Sequence, residues 1–107
     1  MSPLIRLCTL AALGGWLAIG AAVAQSTNAS DAPAIQGYRL FDHNCAHCHG
    51  DDARGDEGPD LHGLRISDER IGKIIRNGIK GEMPAFGKKF QDEDVRNLTA
   101  WLRTLKK

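Results

Sequence analysis

The sequence predicts an all-α domain of three main helices joined by long loops. Apolar residues recur at steps of three and four in three separate segments, placing them on one face of a helix in each. No segment sustains the apolar alternation of a half-buried strand. Glycine and proline gather between the periodic segments, where they favour turns over either regular structure.

The first 24 residues stand apart from this pattern. Arg6 precedes an uncharged run from Leu7 to Ala24 that closes on the small residues Ala22-Val23-Ala24. A basic start, an apolar stretch and a small-residue site are the layout of a secretory signal, so residues 1–24 read as a cleaved leader and Gln25 as the mature start. An uncharged run of about 18 residues is also long enough to span a bilayer. Gly14, Gly15 and Gly20 weaken that alternative, and a processing site follows at once. Cys8 lies inside the leader and would be lost with it. Export places the protein in the periplasm, without stable membrane insertion if the leader is removed and facing the periplasm from an anchor if it is kept. Residues 25–32 are small and polar, a flexible lead-in, which leaves 33–107 as the domain.

From Pro33 a helix is expected over about 33–46, with Ala34, Gly37, Tyr38, Phe41 and Cys45 on one face. Residues 50–65 hold four glycines, one proline and five acidic residues, the composition of an irregular loop. Ser67 followed by Asp68 and Glu69 has the chemistry of a helix start, Ile71, Ile74 and Ile75 supply its apolar stripe, and Gly78 its stop. Loop resumes over 80–90 with Gly81, Pro84 and Gly87. From Asp92 the clearest helix is expected to run to the end of the chain, with Val95, Leu98, Leu102 and Leu105 as its stripe. Asp92, Glu93 and Asp94 at its start and Lys106 and Lys107 at its finish complement the helix dipole. Loops this long are uncommon in a small domain unless they serve a site.

Charge excludes one class of function. Of 107 residues, 14 are Lys or Arg and 13 Asp or Glu; loss of residues 1–24, with Arg6, leaves 83 residues carrying 13 of each sign. Nothing in so even a balance asks for nucleic acid, and none is expected as a partner. A domain of this size also seldom gains enough stability from its core alone, so a covalent or metal staple is expected.

Cys45-Ala46-His47-Cys48-His49 supplies one. C-x-x-C-H is the attachment motif for c-type haem. Two thiols three positions apart project from one side of a helical turn, where each can add to a haem vinyl group, and the next histidine is carried under the iron. Three other readings use the same residues. A redox-active dithiol would want a strand before Cys45, a zinc site would need further ligands from His43, His47 or His62, and a structural disulfide would close a very small loop. The second axial position points to Met83, the single methionine once Met1 is removed, in Gly81-Glu82-Met83-Pro84, where Pro84 disfavours helical backbone for Met83. Core filling is the ordinary use of methionine; His62 is the runner-up sixth ligand, and an open sixth position is the remaining alternative. Asp51, Asp52, Asp56 and Glu57 read as a solvated acidic loop, and His43 and His47 as exposed side chains without chemical duty.

Gly37-x-x-x-Phe41-x-x-x-Cys45-x-x-Cys48-His49, then Gly58-Pro59-Asp60-Leu61, Met83-Pro84-Ala85-Phe86 and a last helix bearing Leu98 and Trp101-Leu102, resembles the small bacterial class I cytochromes c. The likeness covers nearly all of the chain from about residue 34. It implies a cytochrome c fold around one covalent haem c, bonded to Cys45 and Cys48, with His49 and Met83 on the iron. It further implies that the Pro59 carbonyl accepts a hydrogen bond from His49, and that Gly37 and Trp101 mark the crossing of first and last helices. The expected function is one-electron transfer without catalysis, by a monomer that meets redox protein partners transiently or serves as a fixed subunit of a dehydrogenase or oxidase complex. A haem enzyme or gas sensor is the more distant alternative. Between Arg65 and Lys89 seven basic residues stand against three acidic ones, a candidate docking face for an acidic partner.

Overall fold

The computed structural model describes Gly20 and residues 31–107; the leader site Ala22-Val23-Ala24 and the lead-in over 25–30 lie outside the described residues. The described chain is helical, with α1 at Asp31–Asn44, α2 at Ala46–His49, α3 at Asp68–Asn77 and α4 at Asp92–Leu102. Among the described residues the only β pairing is an isolated bridge between Ile79 and Met83.

α1 begins at Asp31, two residues before the expected start, with Pro33 inside its first turn. Proline is tolerated there because the first N–H groups of a helix have no intrahelical acceptor. The helix also stops earlier than expected, at Asn44, whose side-chain amide donates back to the Leu40 carbonyl at 2.8 Å. Cys45 leaves helical geometry at φ −123° and ψ −30°, and α2 restarts the helix around its carbonyl, which accepts from the N–H groups of Cys48 and His49 at 3.1 and 3.0 Å.

α3 starts where the sequence signals it, with the Ser67 hydroxyl accepting the Arg70 N–H at 3.2 Å. Ile71 and Ile75 are buried and Ile74 is half-buried. Gly78 ends the helix at φ +64°, in the left-handed region that glycine enters without strain, and its N–H reaches the Ile74 carbonyl at 2.7 Å.

α4 opens with the Asp94 carboxylate accepting the Gln91 N–H at 2.8 Å and buries Val95, Leu98, Thr99 and Leu102. It does not run to Lys107. The helix ends at Leu102, and the chain turns through Arg103 and Thr104. The Thr104 N–H and hydroxyl both bond to the Trp101 carbonyl, at 2.8 and 2.6 Å, and the Arg103 side chain is drawn off to a distant loop. Side-chain and tertiary bonds outcompete one more helical turn.

α1 and α4 cross at backbone contact. A Cβ on Gly37 would penetrate the Asn97 carbonyl and lie 2.8 Å from Trp101 Cβ, so only glycine fits there. Trp101 then packs on Phe41 at 4.3 Å between ring centroids and on the half-exposed Tyr38 at 5.6 Å. Phe41 and Leu98, each 1% exposed, form the centre of a core that continues through Ile71, Ile75, Phe90, Val95 and Leu102. Each such large side chain contributes about 1.5–3 kcal/mol of burial. This core draws residues from α1, α3 and α4, and the helices frame a cavity beside it.

Candidate functional site

The cavity has a volume of about 720 Å³ and is lined mainly by apolar side chains, among them Leu61, Ile71, Ile74, Ile75, Phe86 and Leu98. That volume suits a small-molecule cofactor. Cys45, Cys48, His49 and Met83 all line it, so the fold brings the four chemistry-bearing residues singled out in the sequence to one space.

The break at Cys45 gives the thiols and His49 their place on a short turn of their own. Burial pushes the Cys45 thiol up to about 11; its neighbour Cys48 adds to the rise and Lys89 lessens it. Cys45 and Cys48 are not joined to each other. Among the described residues, no three His, Cys, Asp or Glu side chains gather as a zinc site requires.

His49 is buried, and its Nδ1 lies 2.9 Å from the Pro59 carbonyl oxygen. A carbonyl can only accept, so Nδ1 carries the proton and Nε2 keeps its lone pair for a metal. The loop that presents Pro59 is tightly built although it reads as irregular. Gly58 and Gly55 donate to the carbonyls of Cys48 and His49 at 2.6 and 2.8 Å, and Leu61 donates to Ala53 at 2.9 Å. Gly58 also lets the loop lie against the imidazole, since a Cβ there would sit 2.9 Å from His49 Cε1 and Nδ1.

Met83 stands on a strip sewn to the end of α3. Ile79 and Met83 exchange both backbone hydrogen bonds, at 2.9 and 2.8 Å, while Phe86 and Gly87 donate to the Ile75 and Arg76 carbonyls at 2.9 and 3.0 Å. The last carbonyls of α3, which have no partner within the helix, thereby hold the methionine strip in place. Pro84 is therefore one constraint on Met83 among several.

His62 does not line the cavity. It is buried with Nδ1 on Asp60 Oδ1 at 2.8 Å, and the same oxygen accepts its backbone N–H at 2.8 Å. These two bonds, backbone first and imidazole second, hold the Asp60 carboxyl below its ordinary value of 3.8. Asp51, Asp52, Asp56 and Glu57 are exposed, as are His43 and His47, although Glu57 and His47 also edge the cavity mouth. Of the seven basic residues from Arg65 to Lys89, Arg76 is bonded to Asp92 at 2.9 Å, while the other six are exposed. Arg103, which drew no attention in the sequence, ties the C-terminal turn to Leu64, Ile66 and Asp68. No local signal marks such a residue, because its partners lie 35 to 39 positions away.

An all-α fold whose C-x-x-C-H turn opens on an apolar cavity defines a c-type cytochrome domain. A family profile described as Cytochrome C oxidase, cbb3-type, subunit III matches residues 32–102, and the chain belongs to that family. The Cbb3-type cytochrome c oxidase subunit CcoP of Rubrivivax gelatinosus is 39% identical over 77 residues, 64% of this chain and 25% of that protein. Cytochrome c-551 of Bacillus subtilis (strain 168) is 39% identical over 57 residues, 51% of this chain and 50% of its own length. The crystal structure of cytochrome cL from Hyphomicrobium denitrificans has the same fold, with a TM-score of 0.68 at 24% identity over 74% of this chain and 51% of that one. The chain thus spans 25% and 50% of the lengths of these two curated relatives.

Proposed function

We propose that this chain is an exported one-electron carrier, with one haem c bonded through Cys45 and Cys48 and its iron held by His49 and Met83. The carrying observation is the convergence of these four side chains on one apolar cavity, with His49 Nδ1 engaged by Pro59. Haem bound there would supply a one-electron iron couple. The Pro59 bond fixes the imidazole and raises its basicity. Met83 offers a soft, neutral donor, which favours ferrous iron and a higher potential. With His49 and Met83 both holding it, the iron would keep no position for a substrate, which would suit transfer over catalysis.

Visible spectra of the oxidised, reduced and carbon-monoxide-treated protein test the reading. The wild type should be low-spin, show a weak far-red sulfur-to-iron band when oxidised, and ignore carbon monoxide when reduced. Met83→Ala should lower the potential or open a position that binds carbon monoxide. A high-spin wild type at neutral pH would overturn the carrier assignment in favour of a haem enzyme or sensor. The mass of the exported protein tests the leader, since cleavage after Ala24 removes residues 1–24.

A fixed haem subunit of an oxidase complex is the second reading, supported by the family description and the CcoP relative. Co-purification with other subunits at constant stoichiometry would select it over a free carrier. In either case redox protein partners are expected, with the exposed basic residues between Arg65 and Lys89 as the candidate docking stretch.

A further inference from the structure

We propose that Arg103 is a positioning residue that locks one wall of the cavity, and that by limiting water there it holds the haem potential up; this rests on the haem reading above. The wall is the segment 63–67, which forms no helix or strand, and both Leu64 and Ile66 line the cavity. Leu64 is half-buried and Ile66 is 41% exposed, so this wall forms the boundary between cavity and solvent.

Very little inside the segment holds it. The Gly63 N–H reaches the Leu105 carbonyl at 3.0 Å and Ser67 at the far end caps α3, while the anchors on Leu64 and Ile66 between them come from one side chain. Arg103 Nη1 donates to the Leu64 carbonyl at 2.7 Å, Nη2 donates to the Ile66 carbonyl, and Nε donates to Asp68 Oδ1 at 2.7 Å. The three acceptors are spread over five residues of chain, and the planar guanidinium fork meets them together. A lysine ammonium is a single point and cannot span both carbonyls and the carboxylate. The Asp68 carboxylate also lies in the first turn of α3, so the same clamp fixes the wall to the helix that supplies Ile71, Ile74 and Ile75 to the cavity.

The functional consequence follows from charge. The oxidised centre carries one more positive charge than the reduced one, and water stabilises charge better than a packed apolar wall does. Loosening the wall should therefore favour the oxidised state and lower the potential.

The test uses the holoprotein with Arg103→Lys, Arg103→Gln and, as a partial release, Asp68→Asn, which keeps both carbonyl bonds. Potentials come from redox titration, and wall position from NMR shifts of the Leu64 and Ile66 methyl groups in the reduced protein, where the haem ring current reports on nearby side chains. Both Arg103 variants should lower the potential and move these methyl shifts, with Ile71 and Ile75 unmoved and Asp68→Asn close to wild type. Folded variants with wild-type potential and methyl shifts would overturn the proposal. So would shifts spread evenly over the core, or failure of both Arg103 variants to fold, because Arg103 would then be a general stabiliser. The wild-type haem spectrum separates these outcomes from failure of the haem reading itself.

Discussion

The residues that would bind iron are held by neighbours that do no chemistry themselves. His49 owes its tautomer to the Pro59 carbonyl, and the turn after Pro59 is closed by Asp60 and His62. Asp60 makes this arrangement sensitive to acid. Its carboxyl lies below its ordinary value because the folded state bonds to the charged form. Its contribution is therefore complete above the unfolded value, near 4, and is lost as pH falls through the folded one. Asp60→Asn should flatten the acid side of a plot of melting temperature against pH, below about pH 4. The carboxylate is exposed, so the change should be small. An unaltered acid slope would show that the two bonds to His62 add nothing to stability.

At the scale of elements, the crossing of α1 and α4 is the contact on which the fold depends. Gly37 is required there by space, since its φ is ordinary and its missing side chain admits the Asn97 carbonyl and Trp101. Gly37→Ala should force the helices apart, costing about 1–3 kcal/mol or more, as overpacking does. Thermal melts would measure the loss, and Trp101 fluorescence would report the displaced ring. At Gly81 a Cβ would meet nothing, and the cost of substitution there should come only from its φ of +79°. The methionine strip is the second element-scale device. Because Phe86 and Gly87 satisfy the end of α3, weakening that helix end should also loosen Met83. Ser67→Ala removes the cap at the opposite end of α3 and should cost about 1 kcal/mol without changing the far-red band expected if Met83 binds iron. Loss of that band in Ser67→Ala would mean that the strip depends on the whole helix and not on its last turn alone.

For the whole molecule, the cavity takes the place that a core would fill in a domain without a cofactor. Its walls include Phe41, Ile71, Ile75, Leu98 and Leu102, which are also the core residues. Cys45→Ala with Cys48→Ala should therefore leave a largely unfolded chain, measured as loss of helical circular dichroism and of a cooperative melt. A native-like melt from that double variant would show that the helices stand without the staple. The surface makes a second whole-molecule prediction. Six exposed cations between Arg65 and Lys89 should steer an acidic partner, so transfer rates should fall as salt rises. Glu57 and Glu82 at the mouth oppose that field, and a flat salt dependence would mean that they cancel it.

Helix positions, and the gathering of Cys45, Cys48 and His49 on one cavity, were legible in the sequence wherever the cause was local. Ser67, Gly78 and the acids of α4 act within one turn, and C-x-x-C-H needs only its own spacing to place two thiols and a histidine on one turn. Tertiary structure decided what depends on groups far apart in the chain. The break at Cys45 and the end of α4 at Leu102 differ from the periodic pattern where side-chain and tertiary bonds compete with the helix. His62 could be read as a ligand from its residue type alone; in the fold it turns to Asp60 and leaves the cavity to Met83. The clamp of Arg103 on Leu64, Ile66 and Asp68 could not be read at all, since two backbone carbonyls are acceptors in any sequence and only folding brings them to one guanidinium.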